Sequence, residues 1–373
     1  MKKHLGKEQG ITLIALVITI IILLILAGIS ISALTNQGLF KNAKATQNAT
    51  EKAEKEQGQR LNEYEDEINK YLSNNDKTEE TLVDKVNDGT IKIGDYVKYT
   101  PNTASTDSIL QELNTYSGSD KNTTSTLTQE SLNWRVLDIK DGQVRLISEL
   151  PTTSKITLSG YNGYNNAVKL LDDTCSTLYS NSKFASKVQN LKIEDIQDKM
   201  VETDYSKFDS NYGKTFTPKE KYYPNILIKE KEQKVNGTAG TELGLSEQTE
   251  LINQTTKPQA TSLEIKYTYW KKSMALEDFN NSKYYELLIN NGSNYPVYWM
   301  SSRCVTASSY GASFNVRSVV SGLVYANGLC NSNVSEYSRV FAFRPVITLN
   351  SNVQIDTSNS GNGSTPNDGN AIK

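Results

Sequence analysis

The chain has 373 residues, long enough for roughly two or three domains and a sizeable core. Its 40 Lys and Arg against 42 Asp and Glu give a formal net charge of −2. That balance excludes a general nucleic-acid binder, because no basic excess exists to displace counterions from phosphate. The single histidine is His4. Ser-His-Asp and Cys-His catalysis and imidazole-ligated zinc are therefore excluded within this chain, and no metal or cofactor is expected.

Residues 1–10, MKKHLGKEQG, form a basic leader, and residues 11–34 then run for 24 positions without a charge. As a helix that run measures roughly 36 Å, enough to cross a hydrocarbon core of about 30 Å. The sequence thus predicts a transmembrane helix from Ile11 to Leu34, in contact with membrane lipid. Lys2, Lys3 and Lys7 precede it and the next basic residue is Lys41. The positive-inside rule places the leader in the cytoplasm and the rest of the chain outside, as a single-pass protein of the cell membrane. A cleaved secretory signal would have an apolar region of only about 7–15 residues and a small-x-small site. An uncleaved anchor fits the length and charge.

The boundary itself is more specific. Gly10 ends the leader, and Ile11, Thr12 and Leu13 open the apolar run at once. This arrangement resembles the prepilin-type signal of type IV pilins and pseudopilins. The resemblance implies that a prepilin peptidase cuts between Gly10 and Ile11 and methylates Ile11. It also implies pilus or secretion subunits as partners. It departs from the family at the fifth mature position, where pilins carry a glutamate that neutralises a neighbour's terminal amine and this chain has Ala15. Ala15 argues against an abundant filament subunit. It fits a minor pseudopilin, or a membrane-held protein that uses only the processing signal.

Residues 35–72 read as a helical stalk. Ala45, Ala49 and Ala53 recur every four positions among charges of both signs, and Leu61, Tyr64, Ile68 and Tyr71 then form a helical stripe. Residues 73–90 read as a linker with a short helix. From 91 to 350 the texture changes to strands, and the expected class is α+β, an antiparallel-sheet domain with two helices. Gly94-Asp95 precedes the strand YVKY. Asp141-Gly142 joins WRVLDI to QVRLIS as a hairpin. Val168, Leu171, Cys175 and Leu178 mark a helix over 165–180, capped by Asn165 or Asn166. NLKIEDIQDKMV at 190–201 reads as the second helix, with Glu194, Asp195 and Asp198 on a solvated face. Strands follow at 297–302, 313–320, 322–326 and 340–349, the last an edge or bulged strand because of Pro345. Residues 351–373, rich in Ser, Asn and Gly, read as a disordered tail.

The ordered set GDYVKY, WRVL with DGQVRLIS, GYNNAVKLLDDTC, YWMSSRCV, FNVRSVVSG and FRPVITL is similar to an uncharacterised domain of surface proteins of low-GC Gram-positive bacteria. Its late YW, SS, R and RPV texture is also similar to C-type-lectin-like and formylglycine-generating-enzyme-like folds. Within it, Tyr298, Trp299, Arg303 and Arg317 are the candidate ligand-binding residues. The alternative is that Arg317 and Arg344 pair with buried acids and organise the core. Cys304 and Cys330 are either a disulfide, closing a loop of about 25 residues, or two thiols. Cys175 reads as a buried core residue.

The expected function is a pilin-like, membrane-anchored surface protein with a structural or adhesive role. The alternative is an anchored lectin-like module for a glycan or protein ligand, with an uncleaved anchor. With no histidine and no paired-carboxylate motif, an enzyme is not expected.

Overall fold

A computed structural model describes residues 80–104, 127–228, 251–256, 263–290 and 296–373. The leader, Gly10, Ile11, the run ending at Leu34 and the stalk lie outside the described residues. Among the described residues, no helix is long and apolar enough to cross a membrane.

The described body is α+β. In chain order it comprises α1 (Leu82–Asn87), β1 (Tyr96–Lys98), β2 (Trp134–Lys140), β3 (Gln143–Ser148), β4 (Lys155–Ser159), α2 (Gly160–Tyr179), β5 (Ala185–Asn190) and α3 (Ile193–Gln197). There follow β6 (Thr215–Phe216), α4 (Asn225–Ile228), β7 (Ile265–Lys266), β8 (Lys272–Ser273) and α5 (Ser282–Leu288). The last elements are β9 (Val297–Ala307), β10 (Ala312–Val320), β11 (Leu323–Asn331), β12 (Ser338–Ala342), β13 (Pro345–Leu349) and β14 (Asn370–Ala371). One sheet runs β14-β1-β2-β3-β13-β5 and a second runs β4-β12-β9-β10-β11-β8, while β6 and β7 form a small ribbon.

Two hairpins follow directly from turn chemistry. Asp141 and Gly142 have φ of 52° and 75° between β2 and β3, and Ser321 and Gly322 have φ of 50° and 81° between β10 and β11. Positive φ at both central residues gives a turn whose twist matches the flanking strands. The strands β2, β3, β9, β10 and β13 are buried on both faces because each face meets its own core. Val136, Leu146, Trp299 and Ile347 join the core around α2. Their chain neighbours Leu137, Ile147, Tyr298, Met300 and Val346 join a second core with Ile193 and Trp270. Side chains that alternate between faces thus fill two interiors.

The helix α2 starts five residues before the expected 165. A Cβ on Gly163 would lie 3.0 Å from the Leu158 carbonyl carbon, so its missing side chain lets the first turn lie against β4. Asn165 and Asn166 sit inside the helix rather than capping it. They hold the segment 251–256, with Asn165 Nδ2 donating to Gln254 Oε1 and Asn166 Nδ2 donating to the Ile252 carbonyl, each at 2.8 Å. The second helix is only the five residues of α3. Asp195 is not on a solvated face: it is 2% exposed and accepts a hydrogen bond from Arg145 Nη1 at 2.5 Å.

The run 340–349 is two strands in two sheets. Arg344 turns the chain between them, donating to the Ser148 and Glu149 carbonyls at 3.0 and 2.9 Å. β13 is an interior strand, and Pro345 is tolerated as its first residue; the register irregularity falls later, between Thr348 and Leu349. The segment 351–373 is folded, against the expectation of disorder. β14 pairs in parallel with β1, Ile355 bridges Ile372, and Val353, Ile355 and Ala371 are buried. Its polar residues serve as turn formers: Asp356 Oδ1 accepts from the Ser358 amide, and Asn362 Oδ1 from the Ser364 amide.

No disulfide joins Cys304 to Cys330. Cys304 lies opposite Asn315 on one side of β10, and Cys330 lies opposite Phe314 on the other side. With one strand between them the backbones stand about 9.5 Å apart, beyond the roughly 7 Å that a disulfide spans. Asn315 and Phe314 are successive residues, so the two thiols also face opposite sides of the sheet. All three cysteines are buried thiols. Burial pushes the Cys304 thiol up to about 11 and the Cys175 thiol well above its ordinary value. The native protein should therefore react with a thiol reagent only as it unfolds, and then with three equivalents per chain. Peptide mapping that recovered a 304–330 bridge would overturn this arrangement.

A polar cleft at the hairpin tips

The ligand residues read from the sequence are structural. Tyr298, Trp299, Arg303 and Arg317 are each 0% exposed. Tyr298 donates to the Leu288 carbonyl at 2.6 Å, and Trp299 Nε1 to the Ile156 carbonyl at 2.9 Å. Arg303 stacks over Tyr164 at 5.4 Å. Arg317 lies 4.9 Å from the Trp270 ring and donates to the Trp270 and Thr268 carbonyls at 2.5 and 2.8 Å. The four do not form an open pocket. Nor do Arg317 and Arg344 rely on buried acids: their guanidinium groups satisfy strand-end and loop carbonyls instead, which an Arg fork reaches in pairs.

The accessible feature is elsewhere. A cleft of about 480 Å³ opens at the β9–β10 and β11–β12 ends of the second sheet. That volume lies within the range of small-molecule sites. Three segments distant in sequence build it, and backbone bonds tie them together. The Lys219 amide donates to the Ser309 carbonyl at 3.0 Å, the Tyr222 amide to the Ser332 carbonyl at 3.2 Å, and the Ser332 amide to the Ala312 carbonyl at 2.9 Å. Ser332 Oγ, 1% exposed, also accepts the Ala312 amide at 2.8 Å.

The turn 308–311 closes on itself: the Ser308 amide donates to the Gly311 carbonyl at 2.9 Å, and Ser308 Oγ accepts the Tyr310 amide at 3.2 Å. These bonds leave Tyr310 outermost and 74% exposed, with Lys219 Nζ 5.2 Å from one ring face. In the facing turn, Asn331 Oδ1 accepts the Asn333 and Ser335 amides at 3.2 and 2.8 Å. This brace holds Val334 at a φ of 75°. A β-branched residue pays roughly 1–3 kcal/mol for that conformation, so the turn is over-determined by its neighbours.

The side-chain amide nitrogens of Asn331 and Asn333 donate to no described residue, and the exposed Glu220 carboxylate accepts from none. Sequence reasoning missed the cleft, since each segment alone reads as an ordinary polar turn. The one local signal is an aromatic residue in the Ser-Ser-Tyr-Gly turn, where a loop tip usually carries none. A smaller cleft of about 240 Å³ lies beside Tyr96, Glu130 and Pro366. Among the described residues, no group of three His, Cys, Asp or Glu side chains is placed to hold a metal ion.

No model of a known protein family matches the chain, and neither a curated protein nor a solved structure matches it.

Proposed function

We propose that the chain is a pilin-like, membrane-anchored surface protein, structural or adhesive in role, serving as a minor component of a type IV pilus-like or type II secretion apparatus. The observation that carries this reading is the junction at Gly10, where a basic leader meets 24 uncharged residues beginning with Ile11. The folded body, residues 80–373 by its outermost described elements, is then what the anchor displays outside the membrane. Ala15 in place of a charged residue suits a span that stays in lipid. The role is non-enzymatic, with prepilin peptidase as the processing partner.

The cleft favours a second reading, an anchored lectin-like binding module that keeps its leader. Intact mass and N-terminal sequence, measured on protein from the native membrane fraction, separate the two. Pilin-like processing gives a chain starting at Ile11 and heavier by one methyl group. Gly10→Phe should then accumulate as the longer, leader-bearing species. A wild-type chain that starts at Met1, with no mass change in Gly10→Phe, would exclude processing and leave the anchored module.

A further inference from the structure

We propose that the cleft between Tyr310, Glu220 and the Asn331–Asn333 turn binds a neutral saccharide. The inference rests on the reading of this body as a displayed binding head. A pyranose presents a flat face of C–H groups and an equatorial ring of hydroxyls. The cleft offers the complement of both. Tyr310 supplies an aromatic ring at 74% exposure, with Lys219 over one of its faces. Two amide donors and one carboxylate acceptor stand around it without described partners. The cross-bonds between the three segments fix the backbone that carries these groups before a ligand arrives, which lowers the ordering cost of binding.

Other ligand classes fit less well. Glu220 places a carboxylate in the wall, which repels an anion. The nearby cation, Lys219, sits over the Tyr310 ring. An extended peptide would add to a sheet edge, but Ala312 and Ser313 of the cleft are bonded on both sides, to β9 and to the end of β11.

The test uses the full chain in an amine-oxide detergent, whose headgroup is not a sugar. Cellotetraose and chitotetraose are titrated by calorimetry, with inorganic phosphate as the anionic probe. The expected result is binding of at least one oligosaccharide with a Kd of about 1 mM or tighter, and none of phosphate. Tyr310→Ala and Glu220→Gln should each weaken it about tenfold. Both residues are exposed, so thermal midpoints should hold in the same samples. The proposal is overturned if neither sugar binds at up to about 10 mM, if phosphate binds instead, or if Tyr310→Ala leaves sugar affinity unchanged. A chain found to start at Met1 would end the processing reading and leave this result standing, so the two can fail separately.

Discussion

Replacing Arg145 with methionine should destabilise the body by about 3–5 kcal/mol, the usual cost of stranding buried charge. Arg145 Nε and Nη2 donate to the two oxygens of Asp138 at 2.7 and 2.6 Å, and Nη1 donates to Asp195 at 2.5 Å. Lys199 Nζ reaches Asp138 at 2.5 Å from the other side. The side chains of Arg145, Asp138 and Asp195 are only 5, 5 and 3% exposed. Two carboxylates and two cations therefore balance within the interior, and the bidentate fork ties β2 to β3 while its third bond holds α3. Methionine matches the stem of arginine but leaves Asp195 facing no charge at that position. Denaturant titration would measure the loss, and a cost under about 1 kcal/mol would mean that water already screens the group.

The pH dependence gives the same network a sign. Burial alone would raise Asp138, but the hydrogen bonds and charge of Arg145, with the charge of Lys199, outweigh it and hold the carboxyl below its ordinary range. A depressed carboxyl contributes stability that is fully present above its unfolded pKa, and that is lost as pH falls through the lower folded value. Wild-type protein should therefore keep this contribution through mildly acidic pH. In Arg145→Met Asp138 keeps only Lys199 against its burial, so it takes up a proton more readily. The gap between variant and wild type should narrow as pH falls. A gap that widens on acidification would contradict the assignment.

What the sequence made legible was local. The hairpin at Asp141-Gly142 needs only a turn dipeptide that accepts positive φ and strand formers on either side. The apolar stripe of α2 places Leu171, Cys175 and Leu178 on one buried face, as their spacing requires. What it hid was decided by contacts between distant segments. Arg317 and Trp299 carry the chemistry of a ligand pocket, and only the packing of 268–270 and β4 against them turns both into core. Asp195 reads as a surface acid until Arg145, fifty positions earlier, is found against it. The cleft is the converse case, since residues 220, 310 and 331 share no local pattern and meet only through the order of β9, β10 and β11 and the backbone bonds that pin 219–222 against their turns.

The tail makes the sharpest separation between composition and contacts. Deleting residues 353–373 should cost about 3–6 kcal/mol, since fully burying a Val or Ile side chain is worth roughly 1.5–3 kcal/mol and both Val353 and Ile355 are lost. The deletion also strips the ladder from β1. The Tyr96 amide donates to the Gly363 carbonyl at 2.8 Å, and Asn370 Nδ2 donates to the Tyr96 carbonyl at 3.1 Å. Without these partners β1 becomes an open edge, and its amides should exchange with solvent faster than those of β2. A finer variant reaches the same contact without removing chain. Gly363 has a φ of 73°, and a Cβ there would lie 2.7 Å from Asn370 Nδ2 and 2.9 Å from Asp95 Cβ. Gly363→Ala should thus cost at least about 1–2 kcal/mol, through both the left-handed backbone and the crowding. A disordered tail makes the opposite prediction for both variants, with unfolding midpoints unchanged. Denaturant unfolding of the two proteins beside wild type decides between a solvated appendage and a C-terminal segment that completes the first sheet.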